Sequence, residues 1–235
     1  MIDTNHIVLD FEMNPVHHDR SRNTERRGRL QSEIIEIGAV KLSDEVYEKM
    51  DEFSILVKPQ FNDRIEPKIT SLTGISYEDV TDAVCYEEAV AAFSEWIGYG
   101  EPARLYSWST SDFSQICHEC EEKNIPVPAN MGDWVDFQRM FPQETGLHIE
   151  RQLSLEYAAE LAGVDFDEKS AHRALYDARI TAELVAIVLS GEYRERMKNV
   201  TGVLQKTIET STASMAEKLG PKYAELMARF AEKKS

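Results

Sequence analysis

Cysteine is scarce. The 235 residues hold three, Cys85, Cys117 and Cys120, an odd set that offers no disulfide framework and fits a reduced, cytoplasmic protein. Positive charge is short as well: 26 Lys and Arg face 42 Asp and Glu, for a net charge of −16. A chain of that balance does not coat nucleic acid through bulk charge, because such binding rests on neutralising phosphates; a local contact with nucleic acid stays open. No apolar run approaches the roughly 20 residues that a membrane span needs. Met1 to His6 shows no basic stretch leading into a long apolar one, so neither a signal peptide nor a membrane partner is expected. Repeats and low-complexity tracts are missing too. What remains is globular: 42% hydrophobic and 29% charged residues argue against wholesale disorder. The length suits one domain with its own core plus a modest extension.

His6 to Glu12 is an almost continuous apolar run that closes on carboxylates. It reads as a strand buried on both faces whose end meets solvent or metal. Glu33 to Leu42 is a second strand, rich in β-branched residues. Phe53 to Lys58 is a third, stopped by Pro59, and the Asp44-Glu45 turn between these two predicts an antiparallel hairpin. Helical spacing follows at Tyr86 to Ile97, then a fourth strand at Arg104 to Trp108. Ser111 caps a helix running to about Asn124, which Pro126 and Pro128 close. Leu153 to Leu161 and Arg173 to Leu189 complete the helices, the last being the strongest. Strands first, then strands alternating with helices, predict an α/β sheet with an antiparallel portion. Residues 1–190 form one domain on this reading. The remainder, 191–235, reads as two short amphipathic helices split by Gly220-Pro221 and packed on that domain; a homodimer contact is the alternative.

Asp10 and Glu12 stand two apart on a strand and so share a face. Adjacent carboxylates repel unless a cation lies between them, and oxygen-only ligands suit Mg²⁺ or Mn²⁺; solvated loop acids fit the pair equally well. Asp112 follows the fourth strand, where ligands of α/β sheets bind, although a first-turn helix acid explains it too. Asp177 lies inside a strong helix among alanines and leucines and needs a partner. His172, five residues earlier, does not share its helical face and comes from the preceding loop.

Taken together, Asp-x-Glu after a first strand, Asp after a middle strand and His-x4-Asp late on a helix resemble the DEDDh family of 3′–5′ exonucleases, in the DnaQ-like superfamily. The stretches Ile7 to Met13, Glu33 to Val40, Leu72 to Ile75 and Ala171 to Arg179 resemble the branch holding the histone-mRNA and small-RNA-trimming exonucleases and the KapD-type sporulation inhibitors. The resemblance covers about residues 6–190. It implies a ribonuclease H-like fold, a five-stranded mixed sheet flanked by helices. Asp10, Glu12, Asp112 and Asp177 match the acids that hold two Mg²⁺ or Mn²⁺ ions. His172 matches the general base and belongs with the substrate-facing residues. Phe11, Met13, Leu72 and Thr73 match positions that hold the terminal nucleotide and its 3′ hydroxyl, and Trp108 falls near aromatics that pack against it.

The implied reaction is hydrolysis of phosphodiesters at the 3′ end of single-stranded RNA, releasing nucleoside 5′-monophosphates. Paired divalent ions activate water and steady the leaving oxygen, and an imidazole, titrating near neutrality, takes the proton. A DNA 3′–5′ exonuclease of the repair or proofreading type is one alternative. A non-catalytic regulatory or nucleic-acid-binding module is another, although all five catalytic positions are filled. The acidity of the chain is partly answered by residues 14–32, an insert-like loop with Arg20, Arg22, Arg26, Arg27 and Arg29, which clamps the incoming strand's phosphates or is simply a solvated loop. Cys117-His118-Glu119-Cys120 and His17-His18 look metal-like but are better read as helix and surface-loop residues, because structural zinc wants four nitrogen or sulfur ligands.

Overall fold

The computed structural model describes residues 5–16, 30–99, 103–147 and 152–196. Its five strands are β1 (Asn5–Pro15), β2 (Ser32–Leu42), β3 (Lys49–Leu56), β4 (Ala103–Ser107) and β5 (Trp134–Asp136). They form one sheet in the order β3-β2-β1-β4-β5. β1 pairs antiparallel with β2, and β2 with β3; β1 pairs parallel with β4, and β4 with β5. This is the expected mixed sheet, with the expected hairpin at β2 and β3. The α-helices of the described residues are α1 (Pro67–Thr73), α2 (Tyr77–Val80), α3 (Tyr86–Ile97), α4 (Ser111–Glu122), α5 (Phe137–Thr145), α6 (Leu155–Ala162), α7 (Ala174–Leu189) and α8 (Tyr193–Arg196).

The apolar run of β1 makes it the central strand, and its alternation sorts the two layers. Ile7, Leu9 and Phe11 point into a core with Ile37 and Ala39 of β2, Phe93 and Ile97 of α3, and Ile116 of α4. The intervening residues face the other way, where α7 lies across β1 and β2. Helix and sheet come unusually close there. A Cβ on Gly38 would sit 2.1 Å from the Leu175 amide nitrogen and 2.2 Å from the Ala174 carbonyl carbon, so this position needs glycine for space. Gly38→Ala should lower unfolding stability by about 3 kcal/mol, as overpacking against unyielding backbone does. A urea midpoint unchanged from wild type would remove the claim.

Several elements differ from expectation, the short helices α1 and α2 among them. β3 starts at Lys49, because an edge strand with Lys49, Asp51 and Glu52 hides its apolar signal behind protective charges. β5 has only three residues, too few to show alternation. α5 carries Pro142 inside it, which reads as a break in sequence. Asn14 and Pro15 pair with Glu33 and Ser32, so the ends of the insert-like 14–32 loop belong to strands; its residues 17–29, with all five arginines and His17-His18, lie outside the described residues. Thr110 rather than Ser111 precedes the first turn of α4, with no side-chain cap. Contacts divide the chain into Met1–Tyr193 and Arg194–Ser235; the two amphipathic helices expected around Gly220-Pro221 lie outside the described residues. Among these, no helix is long and apolar enough to cross a membrane.

Candidate active site

Asp10 and Glu12 occupy the face of β1 that α7 covers, and their antiparallel partners on β2 are Gly38 and Glu36. Because Gly38 lets α7 settle onto the sheet, Asp177, in the first turn of that helix, arrives beside both acids. One carboxylate oxygen from each of Asp10, Glu12 and Asp177 lies within 4.8 Å of the others. Asp112, at the start of α4, joins from the parallel side of β1: its Oδ1 accepts the Phe11 N–H at 3.1 Å, between Asp10 and Glu12 in sequence. The chain thus gathers four acids from three distant stretches. His172 precedes α7, as expected. Its backbone N–H donates to Asp177 Oδ2 at 3.2 Å, its φ is 62°, and it is exposed at the rim.

Burial raises every one of these carboxyls. Asp10 stands well above its ordinary range, through burial first and then the charges of Asp112, Glu12, Asp177 and Glu36. Glu12 is pushed up to about 8 by burial, Asp177 and Glu36, with Arg173 opposing. Burial carries Asp112 to about 7 and Asp177 to about 6, tempered by the backbone N–H of Phe11 and of His172 respectively. Asp177 Oδ1 is buried without a hydrogen-bond partner. Crowded, desolvated oxygens with one acceptor left over are a poor arrangement for a bare protein and a suitable one for hard divalent cations. The donor set therefore fits Mg²⁺ or Mn²⁺. Glu12 and Asp112, raised to about 8 and about 7, compete with a cation for protons near neutrality, so cation binding expels protons. Titrating MnCl₂ into the protein at pH 7 should release about one proton per chain, with affinity rising as pH goes from 6 to 8. Calorimetry in buffers of different ionisation enthalpy reads this, and zero proton release would contradict it.

The residues matched to substrate contacts are distributed unevenly. Leu72 is 44% exposed, while Thr73 is buried; its hydroxyl bonds the Ile69 carbonyl and the Ile75 N–H. Met13 is half-buried. Phe11 places its ring in the core near Phe93 and Trp134, and what it brings to the site is the N–H that holds Asp112. Trp108 is buried between Phe137 and Phe141, with its indole N–H on the Leu153 carbonyl at 3.2 Å. Its ring thus packs on α5. Cys117 and Cys120 lie in α4, and Glu119 between them is paired with Lys123 at 2.8 Å, so these are helix residues as expected.

Glu36 and Arg173 carry no assigned role in the sequence reading. Glu36 is 1% exposed and accepts three bonds: Arg173 Nη2 at 2.7 Å, Arg173 Nε at 3.1 Å and the Ala174 N–H at 3.0 Å. The signal was an acid at an inward position of an apolar strand, which demands a partner.

The family model described as "Exonuclease" matches residues 7–185. The chain belongs to the exonuclease family. The chain is 26% identical over 202 residues to ERI1 exoribonuclease 2 of Xenopus laevis, covering 77% of this chain and 28% of that protein. It is 30% identical over 175 residues to a PolC-type DNA polymerase III of Caldanaerobacter subterraneus, covering 74% of this chain and 12% of that one. Both relatives are thus far longer than the stretch they share with it. Among solved structures, the nuclease domain of 3′hExo, a DEDDh family member bound to rAMP, superposes with a TM-score of 0.68 at 20% identity, covering 80% of this chain and 93% of that one. That likeness bears out the ribonuclease H-like fold.

Proposed function

We propose that this exonuclease hydrolyses single-stranded RNA from the 3′ end, releasing nucleoside 5′-monophosphates, with Mg²⁺ or Mn²⁺ in the acid cage. The observation that carries the reading is the convergence of Asp10, Glu12 and Asp177 donors within 4.8 Å, with Asp112 bonded to the same strand and an exposed His172 tied to Asp177. Divalent ions held there supply Lewis acidity to the attacking water and the leaving oxygen. The protein supplies the rest. Asp10, Glu12, Asp112 and Asp177 set where positive charge stands. His172, free of the helix, takes the proton of the attacking water. Leu72 offers an exposed apolar surface near the end of α1 for a terminal base.

RNA is favoured by the exoribonuclease relatives, and DNA by the PolC-type one. The protein with Mn²⁺ should shorten a 5′-labelled RNA oligomer stepwise and release 5′-mononucleotides, and chelation should stop it. Stepwise loss from the matched DNA alone would shift the reading to an exodeoxyribonuclease. No metal-dependent release from either, or internal cleavage, would end it.

A further inference from the structure

We infer that Glu36 and Arg173 form a positioning latch that sets the first turn of α7, and with it Asp177 and His172, against Asp10 and Glu12. The inference rests on the nuclease reading and assigns these two residues a part in it.

The argument starts from register. Glu12 is paired with Glu36, and Asp10 with Gly38. Cross-strand partners point to the same face with Cβ atoms roughly 5 Å apart. The two β2 positions beside the catalytic acids are therefore the two that receive α7. Gly38 takes the backbone of Ala174 and Leu175; Glu36 takes the Arg173 guanidinium and the Ala174 N–H. Helix α7 has no side-chain cap of its own at Arg173. Its free N–H is satisfied from the sheet instead, by a carboxylate that also favours the positive end of the helix dipole. Contact at Gly38 fixes how near the helix lies. It leaves rotation about the helix axis and sliding along it open, and the two-pronged Arg173 fork on Glu36 with the Ala174 bond closes both freedoms. Asp177 is one turn beyond Ala174, so an error at the latch passes directly to its carboxylate. His172 is the residue before Arg173, so the same contact aims the imidazole.

A pair that only stabilised the fold would have no need to sit beside Glu12. The Arg173 guanidinium, held on the residue paired with Glu12, adds a cation next to the crowded acids. Its guanidinium side is half exposed and its carboxylate side is sealed, at 48% and 1%. Breaking such a pair from one side leaves a buried charge uncompensated, which is why variants must be read on more than stability.

The test uses the full chain, with thermal melting to show that each variant is folded. MnCl₂ binding is measured by calorimetry, and kcat and KM on a single-stranded oligonucleotide. Removing a partner that orients a metal ligand typically costs 10–100-fold in metal affinity or activity. Glu36→Ala should weaken Mn²⁺ binding at least 10-fold and cut kcat about 100-fold, with KM within about threefold. Glu36→Gln, which keeps an acceptor for the Ala174 N–H but loses one prong of the Arg173 fork, should recover part of both. If Glu36→Ala does not fold, Arg173→Lys decides: it keeps the charge but cannot make the fork, and should lower kcat without raising KM. Folded Glu36→Ala or Arg173→Lys with wild-type Mn²⁺ affinity and kcat overturns the latch, whatever happens to melting temperature. A wild-type protein that binds no Mn²⁺ and releases no mononucleotides would overturn the nuclease reading itself; active wild type with indifferent variants overturns only the latch.

Discussion

Asp10→Asn should abolish turnover and, without divalent ions, make the protein more stable. Asp10 is the acid on which burial and four neighbouring charges all press in the same direction. Its folded value lies above its unfolded one, as do those of Glu12, Asp112 and Asp177. The folded protein therefore binds more protons than the unfolded chain once pH exceeds the ordinary carboxylate range. Stability falls as pH climbs through that window, and the Glu12 share of the penalty is complete only above about 8. An uncharged amide at position 10 removes part of the penalty. We expect a gain at pH 8 that shrinks toward zero near pH 4. Adding Mn²⁺ should close or reverse the gap, because only the intact cage gains binding energy. Turnover should drop on the order of 10³-fold, since a site that loses one ligand loses several kcal/mol of charge stabilisation. Chemical denaturation at two pH values, with and without Mn²⁺, tests the first part. Equal stability at pH 8 would mean the acids do not strain one another, and turnover within tenfold of wild type would remove Asp10 from the cage.

His172→Asn should lower kcat by 10²–10⁴-fold, the usual contribution of a general base, while leaving stability near wild type. The reason lies in the backbone. His172 has φ of 62°, in the left-handed region that Asn tolerates and most side chains avoid. Its N–H bond to Asp177 belongs to the main chain and survives substitution. His172→Ala should lose as much turnover and, in addition, about 1 kcal/mol of stability. The pair of variants separates the chemistry of the imidazole from the shape of the loop. If His172→Asn retains more than a tenth of wild-type kcat, the proton goes elsewhere.

The fold was legible where hydrophobic pattern and length coincide. β1, β2, α3 and α7 declare themselves because each buries a long periodic or continuous apolar stretch. β5 and α5 did not, since three residues carry no period and a proline within a helix argues against it. The site was legible as residue types and order: Asp10 and Glu12 by spacing, Asp177 by its incongruity in an apolar helix, and His172 by its placement just outside that helix. What one dimension hides is pairing. That Glu36 stands opposite Glu12, and Gly38 opposite Asp10, depends on the length of the connection and the bulge after Glu12, so neither could be tied to the acids beforehand. Trp108 illustrates the converse. Its position just beyond β4 points toward the ligand crevice, but the neighbouring Phe137 and Phe141 claim its ring. Phe11 likewise contributes through its amide, which no side-chain pattern encodes.

β1 is bonded on both edges, antiparallel to β2 and parallel to β4. The terminal strands β3 and β5 each have one neighbour in the sheet. Transient fraying in native proteins begins at such margins and spreads inward only at greater cost. Two of the four acids ride on the strand that opens last, and Asp112 is bonded to it directly. The cage therefore outlives the ordinary breathing of the sheet, and a lesion at either margin should slow this enzyme less than an equal lesion at its centre.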